Sequence, residues 1–168
     1  ATHKPITKIL SKDIDIAITS SKIKNKLLNS IEILEDEIFV IMHKESPLAK
    51  KRYVDANSFK NEHLIIHSYP LDTVSVYEQF LKPNKVIPTK ISAIPLTEVA
   101  LEMIEANFGI MCMPKWALTS FKLSENILFK PLGKLGFKRK HYLVIRKEDQ
   151  NKKYINDFVT SFLEVVLN

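Results

Sequence analysis

Apolar and polar positions along this chain change period repeatedly, from two residues to between three and four, and the changes mark its elements. Between positions 95 and 121 the chain reads PLTEVALEMIEANFGIMCMPKWALTSF. Leu96, Val99, Ala100, Met103 and Ile104 recur at i, i+3, i+4, i+7 and i+8, which predicts one buried helical face with Glu98, Glu102 and Glu105 turned away from it. Asn107 and Gly109, residue types that tolerate a left-handed backbone, close that helix. Residues 110–113 then form an unbroken apolar run, the pattern of a buried parallel strand, before Pro114 opens a second helix.

Strand and helix patterns alternate through the rest of the chain. Pro5–Leu10 reads as a short helix with proline in its first turn. Ile14, Ile16 and Ile18 alternate with Asp15 and Ala17 as a strand that ends in Thr19, Ser20 and Ser21. Residues 32–42 are extended, and Ser46 and Pro47 break them. Residues 64–66 form a short strand ending at His67, Ser68 and Tyr69; a helix over 72–81 stops before Pro83; Lys90–Ala93 is extended. Strands follow at 127–130 and 141–146, and Ile155, Phe158, Val159, Phe162, Leu163 and Val166 make a final helical stripe. Such alternation predicts an α/β fold with parallel sheets, whose ligands sit beyond the carboxyl ends of the strands. Hydroxyl or imidazole side chains mark three strand ends: 19–21, 67–69, and the approach to Thr97. Two of these precede a helix start, where free N–H groups favour an anion such as a carboxylate. Each is equally a residue type of ordinary N-caps and turns.

Composition narrows the class. A chain of 168 residues, 45% hydrophobic, supplies one ordinary core or two small lobes sharing a hinge. The single cysteine, Cys112, lies inside the apolar 110–113 run, so no intramolecular disulfide forms and a small buried hydrophobe in a reducing compartment is the expectation. No run approaches the roughly 20 apolar residues of a membrane span, and no charged-then-apolar signal opens the chain. The net charge of +6 comes from dispersed lysines. Its only dense runs, at 50–52 and 138–140, lack interleaved aromatics, so they read as a solvated basic surface and not a nucleic-acid platform.

Enzyme signatures are missing. With glycine only at 109, 133 and 136, neither a phosphate-binding loop, nor a dinucleotide fingerprint, nor a nucleophile elbow exists, which excludes kinases, GTPases and dehydrogenases of those types. His63 and His67 flank an apolar strand without a cysteine or HExxH context, so they read as strand-end histidines and not zinc ligands. Asp13, Asp15, Glu35, Asp36 and Glu37 have no His or Ser partner nearby in sequence and read as solvated carboxylates, with Glu35 at a chain crossover. No enzymatic activity, metal or cofactor is expected.

A proline-led helix, an aspartate (Asp15) and an apolar strand occupy positions 5–19; a proline-leucine-alanine turn is Pro47, Leu48 and Ala49; helix, glycine, strand and proline run from Glu98 to Pro114. In that order these motifs resemble the effector-binding domain of LysR-type transcriptional regulators. Val76, Tyr77, Phe80, Leu81, Pro83, Val86 and Pro88, then Pro114, Trp116, Ser120 and Phe121, then Lys130, Leu132 and Gly133, resemble that family's regulators of methionine biosynthesis. Lys12, Ser46 and Asn107 depart from the pattern, standing where the family usually has glycine, histidine and glycine.

The resemblance implies a bilobal α/β fold of the type II periplasmic-binding-protein kind, two Rossmann-like lobes joined by two crossover strands, the first lobe N-terminally truncated. Lobe I would be residues 1–34 plus 147–168 and lobe II residues 35–146, with Glu35 and Arg146 at the hinge. Effector contacts would come from Thr2, His3, Ser20, His67, Ser68, Thr73 and Thr97. It further implies a cytoplasmic ligand-sensing domain with homocysteine as effector, homo-oligomerisation, and DNA binding only through an N-terminal winged helix-turn-helix that this sequence does not include. A stand-alone solute-binding protein of the same fold is the alternative.

Overall fold

The computed structural model describes residues 4–167. They form two compact units: the described residues up to Asp36 together with those from Arg139 onward, and Glu37–Lys138. Strands β2 (Leu28–His43) and β7 (Phe137–Arg146) each contribute to both.

In the first unit, α1 (Pro5–Leu10) and β1 (Ile16–Thr19) precede β2, and α3 (Lys153–Leu167) follows β7. The strand order is β1-β7-β2, with β1 antiparallel to β7 in a register that runs from Ile16 opposite Ile145 to Thr19 opposite Tyr142. Successive β7 side chains leave opposite faces. Val144 therefore joins Ile9, Ala17 and Leu28 under α1, while Leu143 and Ile145 join Ile33 and Ile155 under α3. Ile16 reaches the second cluster, but Ile18 on the same face remains 51% exposed, beyond the reach of α3.

Helix α1 ends with Lys12 at φ 67°, its N–H bonded to the Ile9 carbonyl and that of Asp13 to the Lys8 carbonyl. This paired closure normally puts glycine where Lys12 stands.

The second unit adds β3 (His63–Ile66), β4 (Lys90–Ala93), α2 (Thr97–Glu105), β5 (Ile110–Pro114) and β6 (Ile127–Pro131). The order is β2-β5-β3-β4, with β6 also on β2. Strand β3 is parallel to β4 and β5, as the alternating pattern predicts, but β2 is antiparallel to both β5 and β6. The sheet is therefore mixed, because β2 and β6 are not linked to their neighbours by the strand-helix-strand crossovers that enforce parallel pairing. Ile38, Val40, Met42, Leu64 and Ile110 pack on one face with Phe59 and Leu81; Ile41, Ile65 and Met111 pack on the other with Ala100, Leu101 and Ile104 of α2. Phe59 is fully buried, worth about 1.5–3 kcal/mol for its side chain alone.

Three local expectations change. The buried face of α2 is Ala100, Leu101 and Ile104, whereas Leu96 is 62% and Val99 40% exposed. Leu96 is the N-cap and has left the helical path, so the periodic stripe does not govern it. The element after Pro114 is a single 3-10 turn, Lys115–Leu118. The helix expected over 72–81 is a 3-10 turn, Leu71–Thr73, and a π-helical turn, Tyr77–Leu81. At the end of α2 Asn107 takes the left-handed conformation (φ 59°), while Gly109 is required for room: a Cβ there would lie 2.5 Å from the His63 carbonyl oxygen.

Candidate functional site

Parallel pairing of β3 with β4 sets Ile66 beside Ala93, and the Ile94 N–H donates to the Ile66 carbonyl at 2.7 Å. This draws the loop leading into α2 against the end of β3. As a result His67, just past β3, meets Thr97, the first residue of α2, with Nε2 and the Thr97 hydroxyl 3.1 Å apart. Ser68 is exposed beside them. Thr73 is two turns of chain further on, its hydroxyl donating to the Pro70 carbonyl at 2.7 Å, which braces the 3-10 turn after the cis Tyr69–Pro70 peptide. Leu96 offers no side-chain cap to α2, so the first-turn N–H groups of this nine-residue helix have no side-chain acceptor at the N-cap.

Structure thus brings His67 and Thr97 together at one strand end. Ser20 lies in the first unit, exposed after β1, next to Thr19, whose hydroxyl donates to the Ser21 carbonyl at 2.8 Å. Thr2 and His3 lie outside the described residues. His63, at the opposite end of β3 from His67, bonds the Phe108 carbonyl through Nδ1 at 2.7 Å and the Ser92 hydroxyl through Nε2 at 2.8 Å. The Nδ1 proton must therefore be present, since a carbonyl only accepts. Among the described residues no three His, Cys, Asp or Glu side chains gather into a group that could hold a metal ion. Cys112 packs against the core containing Ile38 and Leu64, and burial pushes its thiol pKa up, away from the reactive thiolate.

Two charged clusters in the first unit were not readable from sequence. Asp36 is buried rather than solvated: Arg139 donates to it twice, Nε to Oδ1 at 3.0 Å and Nη2 to Oδ2 at 2.6 Å, and His141 Nε2 is 2.9 Å from Oδ2. These partners lie 103 and 105 residues away in sequence, and only the β2–β7 neighbourhood joins them. Arg146 is also buried, donating to the carbonyls of Ile9 (2.7 Å) and Ile14 (2.8 Å) and to the carboxylates of Asp15 and Asp149. Lys152 completes that cluster, and its hydrogen bond to Asp149, aided by Arg146, holds the Asp149 carboxyl below the usual range.

The sequence matches the LysR substrate binding domain family over residues 1–166. It is 24% identical over 160 residues to the transcriptional regulator MetR of Escherichia coli K12, covering 95% of this chain and 50% of that protein. To MetR of Haemophilus influenzae it is 27% identical over 154 residues, 92% of this chain and 50% of that protein. The chain therefore spans about half the length of the curated relatives it matches. The solved regulatory domain of MetR from N. meningitidis superposes with a TM-score of 0.90 at 25% identity, over 96% of this chain and 74% of that one.

Proposed function

Since the chain belongs to the LysR substrate binding domain family, we propose that it senses a small metabolite for a DNA-binding regulator and that homocysteine is this effector. Recognition is assigned to Ser20, His67, Ser68, Thr73 and Thr97, with Thr2 and His3. The observation that carries the assignment is the start of α2, where the His67 imidazole fixes the Thr97 hydroxyl beside first-turn N–H groups that no side chain caps. A carboxylate accepts from such groups and is favoured by the helix dipole. Ser68 adds a hydroxyl at the same strand end. Likeness to MetR supports a sulfur amino acid as the carboxylate donor.

The role is binding without chemistry. The hinge is assigned to Glu35 and Arg146, on the strands β2 and β7 whose residues divide between the units after Asp36 and after Lys138; Arg146 also bonds the Ile9 carbonyl and Asp149 within its own unit. Effector binding biases an equilibrium between states of the whole regulator, a cytoplasmic homo-oligomer whose DNA contacts come from a helix-turn-helix outside this sequence. No helix among the described residues is long and apolar enough to cross a membrane.

Titration of the protein with homocysteine, methionine, cysteine and homoserine, read by thermal unfolding and calorimetry, tests the reading. Homocysteine at about 100 times its dissociation constant should stabilise the fold by about 2.7 kcal/mol. Replacing Thr97 with valine should weaken binding at least tenfold without lowering the melting temperature of the free protein by more than a few degrees. Absence of any shift at millimolar homocysteine, or a Thr97→Val protein that binds normally, rejects this assignment.

A further inference from the structure

The carboxyl end of β7 holds a pocket that the effector reading leaves unused. It has a volume of about 150 Å³, with Leu10, Leu27 and the buried Arg146 among its walls and Lys12, Lys26 and Lys147 about its edge. We infer that this pocket binds a small organic anion with an apolar body, of the chemistry of an aryl or short alkyl phosphate, at a site separate from the proposed effector residues.

Charge, shape and an unfilled donor support this together. Among the described residues the only carboxylate lining the pocket is Glu148, which pairs with Lys12 at 2.9 Å in an exposed ion pair that water screens and an incoming anion can displace. Neither Lys26 nor Lys147 has a carboxylate within ion-pair distance among the described residues. Counting Lys12, Lys26 and Lys147 against Glu148 leaves a surplus of two positive charges around the opening. Arg146 sits 4% exposed, its charge balanced by Asp15 and Asp149. Four of its five N–H groups have acceptors, leaving one on Nη2 without an acceptor among the described residues.

The apolar part of the ligand is specified by Leu10 and Leu27, which are 39% and 66% exposed. A cavity near 150 Å³ accepts a body the size of benzene. Lys12 holds its place through the left-handed closure of α1, so its ammonium is carried on a fixed backbone and not a loose loop. The pocket also lies far from Ser20: Arg146 adjoins Ile145 opposite Ile16, whereas Ser20 follows Thr19 opposite Tyr142. Four strand residues separate the two ends, roughly 13 Å.

The test is amide chemical-shift mapping of the whole 168-residue chain with phenyl phosphate, inorganic phosphate and phenol, at low and high salt. Phenyl phosphate should shift Leu10, Lys12, Leu27 and Lys147 with saturation. Inorganic phosphate should bind at least tenfold more weakly and phenol not measurably. A Lys26→Ala/Lys147→Ala double variant, altering two exposed side chains, should lose at least tenfold in affinity, while Lys85→Ala changes nothing. Equal affinity in the double variant, shifts confined to Ser20, His67 and Thr97, or inorganic phosphate matching phenyl phosphate would each overturn the assignment. Homocysteine titrated into the double variant should behave as in the parent, which separates this site from the effector reading.

Discussion

Replacing Asp36 by alanine should be among the most damaging single polar substitutions in the first unit. Its carboxylate, 2% exposed, accepts both Arg139 hydrogen bonds and lies against His141, and the Arg139 and His141 side chains are each 15% exposed. Removing the acceptor leaves a largely desolvated guanidinium short of its bidentate partner, a loss of about 3 kcal/mol. With a urea slope of about 2 kcal/mol per molar for a chain this size, the unfolding midpoint should fall by roughly 1.5 M. Arg139→Met should cost less, because methionine retains the apolar stem and Asp36 keeps its contact with His141. The double variant Asp36→Leu/Arg139→Met removes both charges and should return to within about 1 kcal/mol of the parent, giving a coupling energy of about 2 kcal/mol or more. Urea unfolding followed by circular dichroism gives the totals, and hydrogen exchange of β7 amides locates the loss in the first unit. If the single effects simply add, the geometry of this cluster carries no cooperative energy and the reasoning fails.

Gly109→Ala should destabilise by about 1–3 kcal/mol, since its Cβ meets a backbone oxygen of β3 and not a movable side chain, and thermal unfolding would register it; an unchanged midpoint would show that β3 and β5 shift apart freely. Lys12→Gly should stabilise by roughly 0.5–1 kcal/mol by relieving the left-handed residue, whereas Lys12→Ala should not, and equal responses would refute backbone strain as the cause. Burial raises the Glu62 pKa, with Lys51 only partly opposing it, so the ionised form is penalised in the folded state. Glu62→Gln should therefore raise the neutral-pH unfolding midpoint slightly, and the difference should close as pH falls through the carboxylate range; a constant gap would exclude ionisation as its origin. Leu96→Asp should cap α2, stabilise the free protein by about 1 kcal/mol, and weaken homocysteine by placing a resident carboxylate at the same N–H groups; calorimetry showing unchanged affinity would separate the helix start from recognition.

Local rules made most strands legible, and tertiary rules hid most of the charge chemistry. Pro5–Leu10 and Lys90–Ala93 form as their patterns predict, because proline placement, alternation and short apolar runs act within a few residues. Asp36, Arg139 and His141 could not be joined in advance: nothing local distinguishes a carboxylate that will be buried by a strand 100 residues later from a solvated one. Arg146 was hidden the same way, its acceptors supplied by α1 and the turn after β7. The rotation of α2 has a different cause. Its stripe is wide enough to offer two burial solutions, and the side chains of Ile41, Ile65 and Met111 select the one containing Leu101.

Capping gives the start of α2 a meaning that its residues alone do not. Elsewhere in the second unit the helical starts at Leu71, Tyr77 and Lys115 also lack a side-chain cap, whereas two others are closed: Ser46 Oγ accepts from the Leu48 N–H at 3.3 Å, and Asp55 Oδ1 from the Ser58 N–H at 3.0 Å. Both of those are short 3-10 turns with little dipole, yet α2, longer and packed on the sheet, begins at leucine. A polar N-cap there would add about 1 kcal/mol of stability. Its absence coincides with a strand end where an imidazole and a hydroxyl face each other, at His67 and Thr97. Stability forgone at a helix start that has polar neighbours is what a binding site needs: donors oriented by the backbone, with no resident side chain to displace before a carboxylate can take its place.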